Sequence, residues 1–304
     1  MMELDGSHST ALVETHPHPS QEEREYHPLF SSPDAEVVLA AKNDSVTKAS
    51  VFFRLHSHNL KTASGFFREM FMLPQNSQLE NGGVFYLEED ASTLELLFRM
   101  ISGLPIPQID SYDQIDPLLD SIEKYDTPGP LSIVRLLVMT PLLLGQPFRL
   151  YAIACRFGWD TEARHASTQT LTFDLYNKDV RPYLSRLSSN ALLRLFDLHR
   201  TRREGLRQRL NDPPFVSGGL ATCNNCNAVI DYHTWRELKY KIILEMDVRP
   251  AGDTILEHGL SEWPEALACW QAKCAQAGCS RALYDKGETL RVIRECIETL
   301  PKTI

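Results

Sequence analysis

Short β-branched and aromatic runs give way to helical periodicity within the first half of the chain. Residues 35–39 and 51–56 have strand character and are separated by turn-forming residues 42–45, so they predict a hairpin. A third short strand is predicted at 84–87, after the turn at 81–83. Because helical spacing dominates from there onward, the pattern predicts an α+β fold with helices packed on a small sheet.

Apolar residues recur at helical spacing in most of the remaining segments. The first predicted helix, 59–71, places Phe67 and Met70 on a strongly apolar face. The helix at 131–139 is apolar nearly all round and is therefore expected to be buried. Further helices are predicted at 93–101, 112–125, 148–157, 161–176, 190–209 and 289–300.

Five pieces follow one another in a fixed order between residues 27 and 126, and together they form a specific pattern. The five pieces are His27-Pro28-Leu29-Phe30, Asp34-Ala35-Glu36-Val37-Val38-Leu39, Phe53-Arg54-Leu55-His56-Ser57-His58-Asn59-Leu60 followed by Ser64, Phe67, Met70 and Phe71, Leu87-Glu88-Glu89-Asp90, and Glu123-Lys124-Tyr125-Asp126.

In this order and spacing, residues 27–125 resemble the BTB/POZ family. Two positions depart from the pattern of that family: Glu36 stands where the family prefers an Asp, and Ser57 stands where a Lys usually follows the His. The block at 147–158, which begins Pro-Phe-Arg-Leu-Tyr, is similar to the BTB proteins expanded in mushroom-forming fungi and extends the resemblance to 27–210. The resemblance implies a protein that pairs with itself or with other proteins. Family members commonly homodimerise through the first strand and the first helix.

Many BTB proteins also present substrates to cullin-type ubiquitin ligases. Such members often carry a hydrophobic-x-Glu motif in the loop after the Met-Phe pair, and residues 72–80 contain no clear copy of it. The resemblance therefore implies self-association first and a cullin adaptor as the alternative.

Composition and charge limit the classes of partner. The 304 residues are 43% hydrophobic and carry a formal net charge of −9, so the average surface repels phosphate backbones and makes nucleic acid an unfavoured partner. No run approaches the roughly 20 apolar residues that a membrane helix needs. The first 20 residues lack the pattern of a secretory signal, so we expect a cytoplasmic or nuclear protein.

Cysteine spacing gives the strongest chemical signal in the sequence. Cys223 and Cys226 form a C-x2-C turn, and Cys274 and Cys279 form a C-x4-C turn, so four thiolates could surround one Zn²⁺ ion. The alternative interpretation is that all four are ordinary reduced thiols. Cys269 and His233 are substitute ligands in the zinc scheme. The segment between the two pairs must fold back as a small domain, with Trp235, Trp263 and Trp270 beneath the site.

Changes in composition divide the chain into five parts. We predict a disordered tail at 1–26, a BTB/POZ-like domain at 27–140, a helical extension at 141–210, a linker at 211–219 and a Cys-rich helical module at 220–304. Arg200, Arg202, Arg203, Arg207 and Arg209 form a basic stripe that is expected to be a solvated helix face.

The sequence as a whole predicts a binding protein and not an enzyme. It contains none of the nucleotide-binding or hydrolase motifs for which spacing alone would nominate catalytic residues. Three hypotheses remain open: a self-associating scaffold, a substrate adaptor for a cullin-type ligase, and a transcription-associated factor with a zinc module.

Overall fold

The structure is a computed structural model, and it describes residues 24–42, 50–73, 83–212, 215 and 221–304. The predicted tail, the turns at 42–45 and 81–83, the loop at 72–80 and the linker at 211–219 lie wholly or largely outside these residues. Internal packing divides the chain into two units, one ending at Leu137 and the other spanning Val138–Ile304. The predicted division into five parts stays a prediction.

The first unit contains a three-stranded sheet of β1 (Val37–Ala40), β2 (Phe52–Leu55) and β3 (Val84–Tyr86), in the order β2-β1-β3. The strands β1 and β2 are antiparallel, as the predicted hairpin requires, whereas β1 and β3 are parallel. Every residue of β1 is buried, because this central strand is covered on both faces. The predicted α+β class is therefore confirmed.

Backbone pairing extends the sheet beyond β2. The last residues of the predicted tail, Arg24, Glu25 and Tyr26, are described and lie beside this strand. Tyr26 forms a parallel bridge with Phe52, and the Phe52 N–H donates to the Glu25 carbonyl at 2.9 Å. The Arg54 guanidinium also lies over the Tyr26 ring, 4.3 Å from its centroid.

Helices of the first unit close over this sheet. A buried aromatic cluster joins them, in which the Phe53 ring meets the Phe98 ring edge to face at 5.3 Å and the Phe30 ring at 5.7 Å. The five helices are α1 (Ser57–Ala63), α2 (Gly65–Met72), α3 (Ala91–Ile101), α4 (Tyr112–Lys124) and α5 (Pro128–Leu137).

Two predictions for these helices are wrong. The single helix predicted at 59–71 is two helices, because Ser64 adopts an extended conformation (φ −131°, ψ 126°) between α1 and α2. The helix predicted at 131–139 is only partly buried, since Pro130 and Val134 face the core while Leu136 is 74% exposed.

The helices predicted to begin at residues 148, 161, 190 and 289 of the second unit begin at Pro147, Asp160, Ser189 and Lys286. The predicted helix at 161–176 ends early, at Thr170, because the chain turns there. The helices are α6 (Pro141–Leu144), α7 (Pro147–Arg156), α8 (Asp160–Thr170), α9 (Arg181–Leu184), α10 (Ser189–Arg209), α11 (His233–Val248), a π-helical turn (Ile255–Gly259), α12 (Leu260–Glu262), α13 (Pro264–Gln271) and α14 (Lys286–Thr299).

One core joins the end of α10 to the cysteine-containing segment. Leu206 and Leu210 of the α10 end pack with Trp235 and Ile242 of α11 and with Ile293 of α14. Gly205 permits a close approach here, because a Cβ at this position would lie 2.5 Å from a methyl carbon of Leu300. None of the helices in the described part of the chain has both the length and the apolar character needed to cross a bilayer.

Candidate metal centre

The first cysteine pair lies in a tight hairpin at residues 221–230. Thr222 and Val229 form an antiparallel bridge, and the Cys223 N–H donates to the Ala228 carbonyl at 2.8 Å. Asn227 takes a positive φ of 55°, a conformation that Asn adopts more readily than most residues. This turn brings the Sγ atoms of Cys223 and Cys226 to within 4.8 Å of each other.

The second pair lies in a similar hairpin at residues 272–283. Lys273 and Ala282 form an antiparallel bridge, and the Cys274 N–H donates to the Arg281 carbonyl at 2.9 Å. The tip of this hairpin reverses through two positive φ angles, 80° at Gly278 and 47° at Ser280. The longer C-x4-C spacing is thereby compressed into a turn comparable to the first one.

The two hairpins bring all four predicted cysteines together. Their Sγ atoms all lie within 4.8 Å of one another. The distance is 3.7 Å from Cys223 Sγ to Cys279 Sγ and 3.6 Å from Cys226 Sγ to Cys274 Sγ. Four sulfurs at about 2.3 Å from a central Zn²⁺ lie about 3.8 Å apart in a tetrahedron, so this spacing is compatible with a zinc site.

Backbone amides and one side chain surround the sulfurs with hydrogen-bond donors. The backbone N–H groups of Asn225 and Cys226 lower the pKa of Cys223. The Asn225 side-chain amide donates to Cys279 Sγ at 3.4 Å and, with the Arg281 N–H, lowers the pKa of Cys279 to about 6. Such donors stabilise thiolates, the form in which cysteine binds metal.

The environment of Cys226 has the opposite effect on its pKa. The Ala228 N–H lowers the pKa of this thiol. Burial and the neighbouring Cys274, Cys279 and Cys223 raise the pKa by more than this, so that it reaches about 12. Negative charge on one sulfur therefore suppresses ionisation of the next. A divalent cation at the centre removes this repulsion, because its charge favours deprotonated ligands.

Neither substitute ligand belongs to the group of four. Cys269 is fully buried in the helical core of the second unit, and burial raises its pKa to about 12. His233 is largely exposed and pairs with Glu237, with 3.1 Å between Nε2 and Oε1. All seven cysteines, each of which lies in the described part of the chain, carry free thiols.

The segment between the two hairpins folds back as predicted. It carries α11, the π-helical turn, α12 and α13, and the three tryptophans pack in or against the core that these helices share. Trp235 is 5% exposed, and the Trp270 Nε1–H donates to the Leu260 carbonyl at 2.8 Å. The helices thus hold the ends of the segment close enough for the hairpins to meet.

Sequence reasoning identified the four sulfurs but missed the groups that donate to them. Asn225 lies between two cysteines in the sequence, and its side-chain amide reaches a sulfur 54 residues away, which local spacing does not indicate. The backbone N–H groups that donate to a sulfur cannot be identified from a sequence, because every residue except Pro has such a group.

Comparison with known proteins does not extend these observations. No protein-family model matches the chain, and a search of curated proteins finds no significant match. The resemblance of residues 27–125 to the BTB/POZ family stays a prediction.

Proposed function

We propose that this chain is a protein-interaction module in which the first unit self-associates and the second unit is built around a structural Zn²⁺ ion. The observation that carries the zinc part of the proposal is the cluster of four cysteine sulfurs within 4.8 Å of one another. Four protein thiolates complete the tetrahedral coordination of zinc, which is typical of structural sites, whereas catalytic sites keep one position for water or substrate.

The proposed residues would each have one role. Cys223, Cys226, Cys274 and Cys279 would hold the ion, and Asn225 would orient Cys279 through its hydrogen bond. When bound, zinc cross-links the two hairpins and supplies no chemistry to a substrate. Its contribution would be to the folding free energy of the second unit.

Exposed apolar side chains in the first unit support self-association. Met72 and Leu73 are adjacent at the end of α2 and are 75% and 57% exposed. The described strand β3 lies at one end of the sheet order, where a further strand could add through its backbone. We propose that a second copy of the chain covers these groups. The cullin-adaptor and nucleic-acid hypotheses stay predictions.

A single preparation of the full chain tests both parts of the proposal. We expect one zinc per chain by elemental analysis and a concentration-dependent dimer by analytical ultracentrifugation. Cys223→Ser combined with Cys279→Ser should abolish zinc binding, whereas Cys155→Ser, a cysteine outside the cluster, should retain it. Zinc near zero in a chain that remains folded would contradict the metal site.

The association surface requires its own variants. Met72→Lys combined with Leu73→Lys should shift the chain to a monomer, because both changes place a charge on the exposed apolar end of α2. Leu193→Lys is the matched control, since Leu193 is 63% exposed on α10 in the second unit. A monomer at every concentration, or equal effects of the two changes, would contradict the proposed surface.

A further inference from the structure

Beside the cysteine hairpins, the second unit contains a cavity of about 220 Å³ that is rich in aromatic side chains. It is too small for a folded partner but large enough for a compact chemical group. Its aromatic and acidic lining residues are Phe215, Tyr232, Trp235, Tyr284, Asp285 and Glu288.

The rings are arranged around the cavity in different orientations. The Phe215 and Trp235 rings stack in parallel, with 5.0 Å between centroids and 4° between planes. The Tyr284 ring lies 6.4 Å from Trp235 and 5.7 Å from Tyr232, tilted by 40° and 46°. Because aromatic faces carry the negative part of the ring quadrupole, several rings around one space favour a cation with an apolar surface.

Several hydrogen-bonding groups of the cavity already have partners within the protein. The Tyr284 Oη lies 3.1 Å from the Thr234 hydroxyl and accepts from the Trp235 backbone N–H at 3.3 Å. Asp285 Oδ1 accepts from the Glu288 N–H at 3.0 Å, as the N-cap of α14. The buried Trp235 Nε1–H, by contrast, has no hydrogen-bond partner among the described residues. The cavity therefore offers ring faces and negative charge, with one buried N–H donor beside them.

The charged residues that line the cavity are both acidic. Asp285 and Glu288 contribute two carboxylates, and Arg291 pairs with Glu288 through two hydrogen bonds of 2.8 and 2.9 Å. The Arg209 guanidinium lies over the ring of the lining residue Phe215, 5.6 Å from its centroid. Because Arg291 neutralises Glu288, Asp285 supplies the negative charge next to the rings.

We propose that this cavity binds a methylated ammonium group, as found in an N-methylated lysine side chain or in choline. A primary ammonium brings three N–H donors and would lose strong hydration on entering, whereas methyl groups replace those donors with apolar surface that packs against rings. The proposal rests on the zinc site, because Tyr232 and Tyr284 follow directly after the two cysteine hairpins and are placed by their convergence.

The test is a titration of the full chain after zinc loading, followed by tryptophan fluorescence and calorimetry. The probes are trimethyl-lysine, choline, unmethylated lysine and 3,3-dimethylbutanol, a neutral analogue of choline. We expect saturable binding of the two methylated cations and weak or undetectable binding of lysine and of the neutral analogue. The cation with the higher affinity, trimethyl-lysine or choline, identifies the source of the ligand. Preference for either of the two supports the site.

Variants assign the binding to this cavity. Tyr232→Ala should weaken binding by about tenfold through loss of a ring face, and Tyr232→Phe should retain it. Asp285→Asn preserves the N-cap oxygen and should weaken binding by roughly threefold through loss of charge. Tyr240→Ala and Asp231→Asn, which change exposed residues outside the cavity lining, should leave it unchanged.

Each outcome separates this inference from the proposed function. Three results with a chain that holds zinc would overturn the cation site alone. The chain could bind neither cation, or it could bind the neutral analogue equally well. It could also lose as much affinity with Tyr240→Ala as with Tyr232→Ala. Binding by a chain that holds no zinc would support the cation site and contradict the metal site. Failure of both measurements would overturn both.

Discussion

Arg202 is a buried cation whose charge is satisfied by backbone carbonyls. It is 2% exposed and donates five hydrogen bonds, to Pro250 and Ala251 after α11 and to Ile297, Leu300 and Pro301 at the end of α14. The carbonyls at a helix C-terminus carry partial negative charge, so the guanidinium is favoured there. This one side chain fixes the end of α14 against α10.

We expect Arg202→Met to lower the free energy of unfolding by about 3 kcal/mol, because it leaves several buried carbonyls without a donor. Urea denaturation followed by circular dichroism measures this change. The matched control is Arg207→Met on the same helix, where a 57% exposed side chain pairs with Glu204 and should contribute less than about 0.5 kcal/mol. Equal losses in the two variants would show that the carbonyl network is not what stabilises α14.

The basic stripe predicted on α10 is therefore only partly a solvated face. Arg203 pairs with Glu204 and Asp247, and the Arg209 guanidinium lies 5.6 Å from the Phe215 ring centroid. The burial of Arg202 could not be predicted, since a charged residue in a polar helix normally indicates exposure. Its acceptors lie 48 to 99 residues further along the chain and are backbone atoms.

At the scale of elements, Ser64 determines where α1 ends and α2 begins. It is fully buried, its Oγ accepts from the Phe67 N–H at 3.0 Å, and its hydroxyl donates to the Tyr125 carbonyl. The following residue is Gly65, whose N–H donates to the Asp126 carbonyl at 2.9 Å. A Cβ at Gly65 would overlap the Asp126 carboxylate, so a larger residue would require the Asp126 side chain to move. Two short helices are thereby tied to the end of α4.

Ser64→Ala removes the N-cap of α2 and the buried hydrogen bond to Tyr125 together. We expect the free energy of unfolding to fall by about 2 kcal/mol, measured by chemical denaturation. Ser132→Ala is the matched control, because the Ser132 hydroxyl is exposed on α5 and bonds only to the Pro128 carbonyl of its own helix. If Ser64→Ala were as well tolerated as Ser132→Ala, the cap would not explain the break between the helices.

Local patterns in the sequence predicted most elements but not the interruptions between them. The strands at 37–40, 52–55 and 84–86 and the helices α3, α4, α7 and α10 lie within a few residues of the predicted positions. Periodicity could not place the break at Ser64, because its cause is a carbonyl 61 residues away. Exposure of Leu136 was likewise unpredictable, since apolar character alone does not show which side of a helix meets a neighbour.

For the whole molecule, the tryptophans allow one unit to be followed separately. All four, Trp159, Trp235, Trp263 and Trp270, belong to the unit spanning Val138–Ile304. The candidate metal centre belongs to the same unit. Tryptophan fluorescence therefore reports on the part of the chain in which we place the zinc ion.

Removing zinc with a strong chelator should destabilise the second unit selectively. We expect its fluorescence-detected melting temperature to fall by roughly 10 °C or more, because structural zinc contributes several kcal/mol and each kcal/mol corresponds to about 2–4 °C. Adding zinc back should restore it. The chain with Cys223→Ser and Cys279→Ser is the control, since it should already melt at the lower temperature and not respond to the chelator. A response equal to that of the unsubstituted chain would contradict the four-cysteine site.

The separation of the two cysteine hairpins has a consequence for how the chain reaches its folded state. A zinc ion bound by both pairs closes a loop whose 47 intervening residues, Asn227 to Lys273, hold four helical segments. By analogy with a disulfide across the same span, this closure reduces the conformational entropy of the unfolded ensemble by an amount worth roughly 4 kcal/mol. During synthesis, a nascent chain holds only two of the four donors until Cys274 has emerged from the ribosome, so the complete site can form only after those helices have been translated.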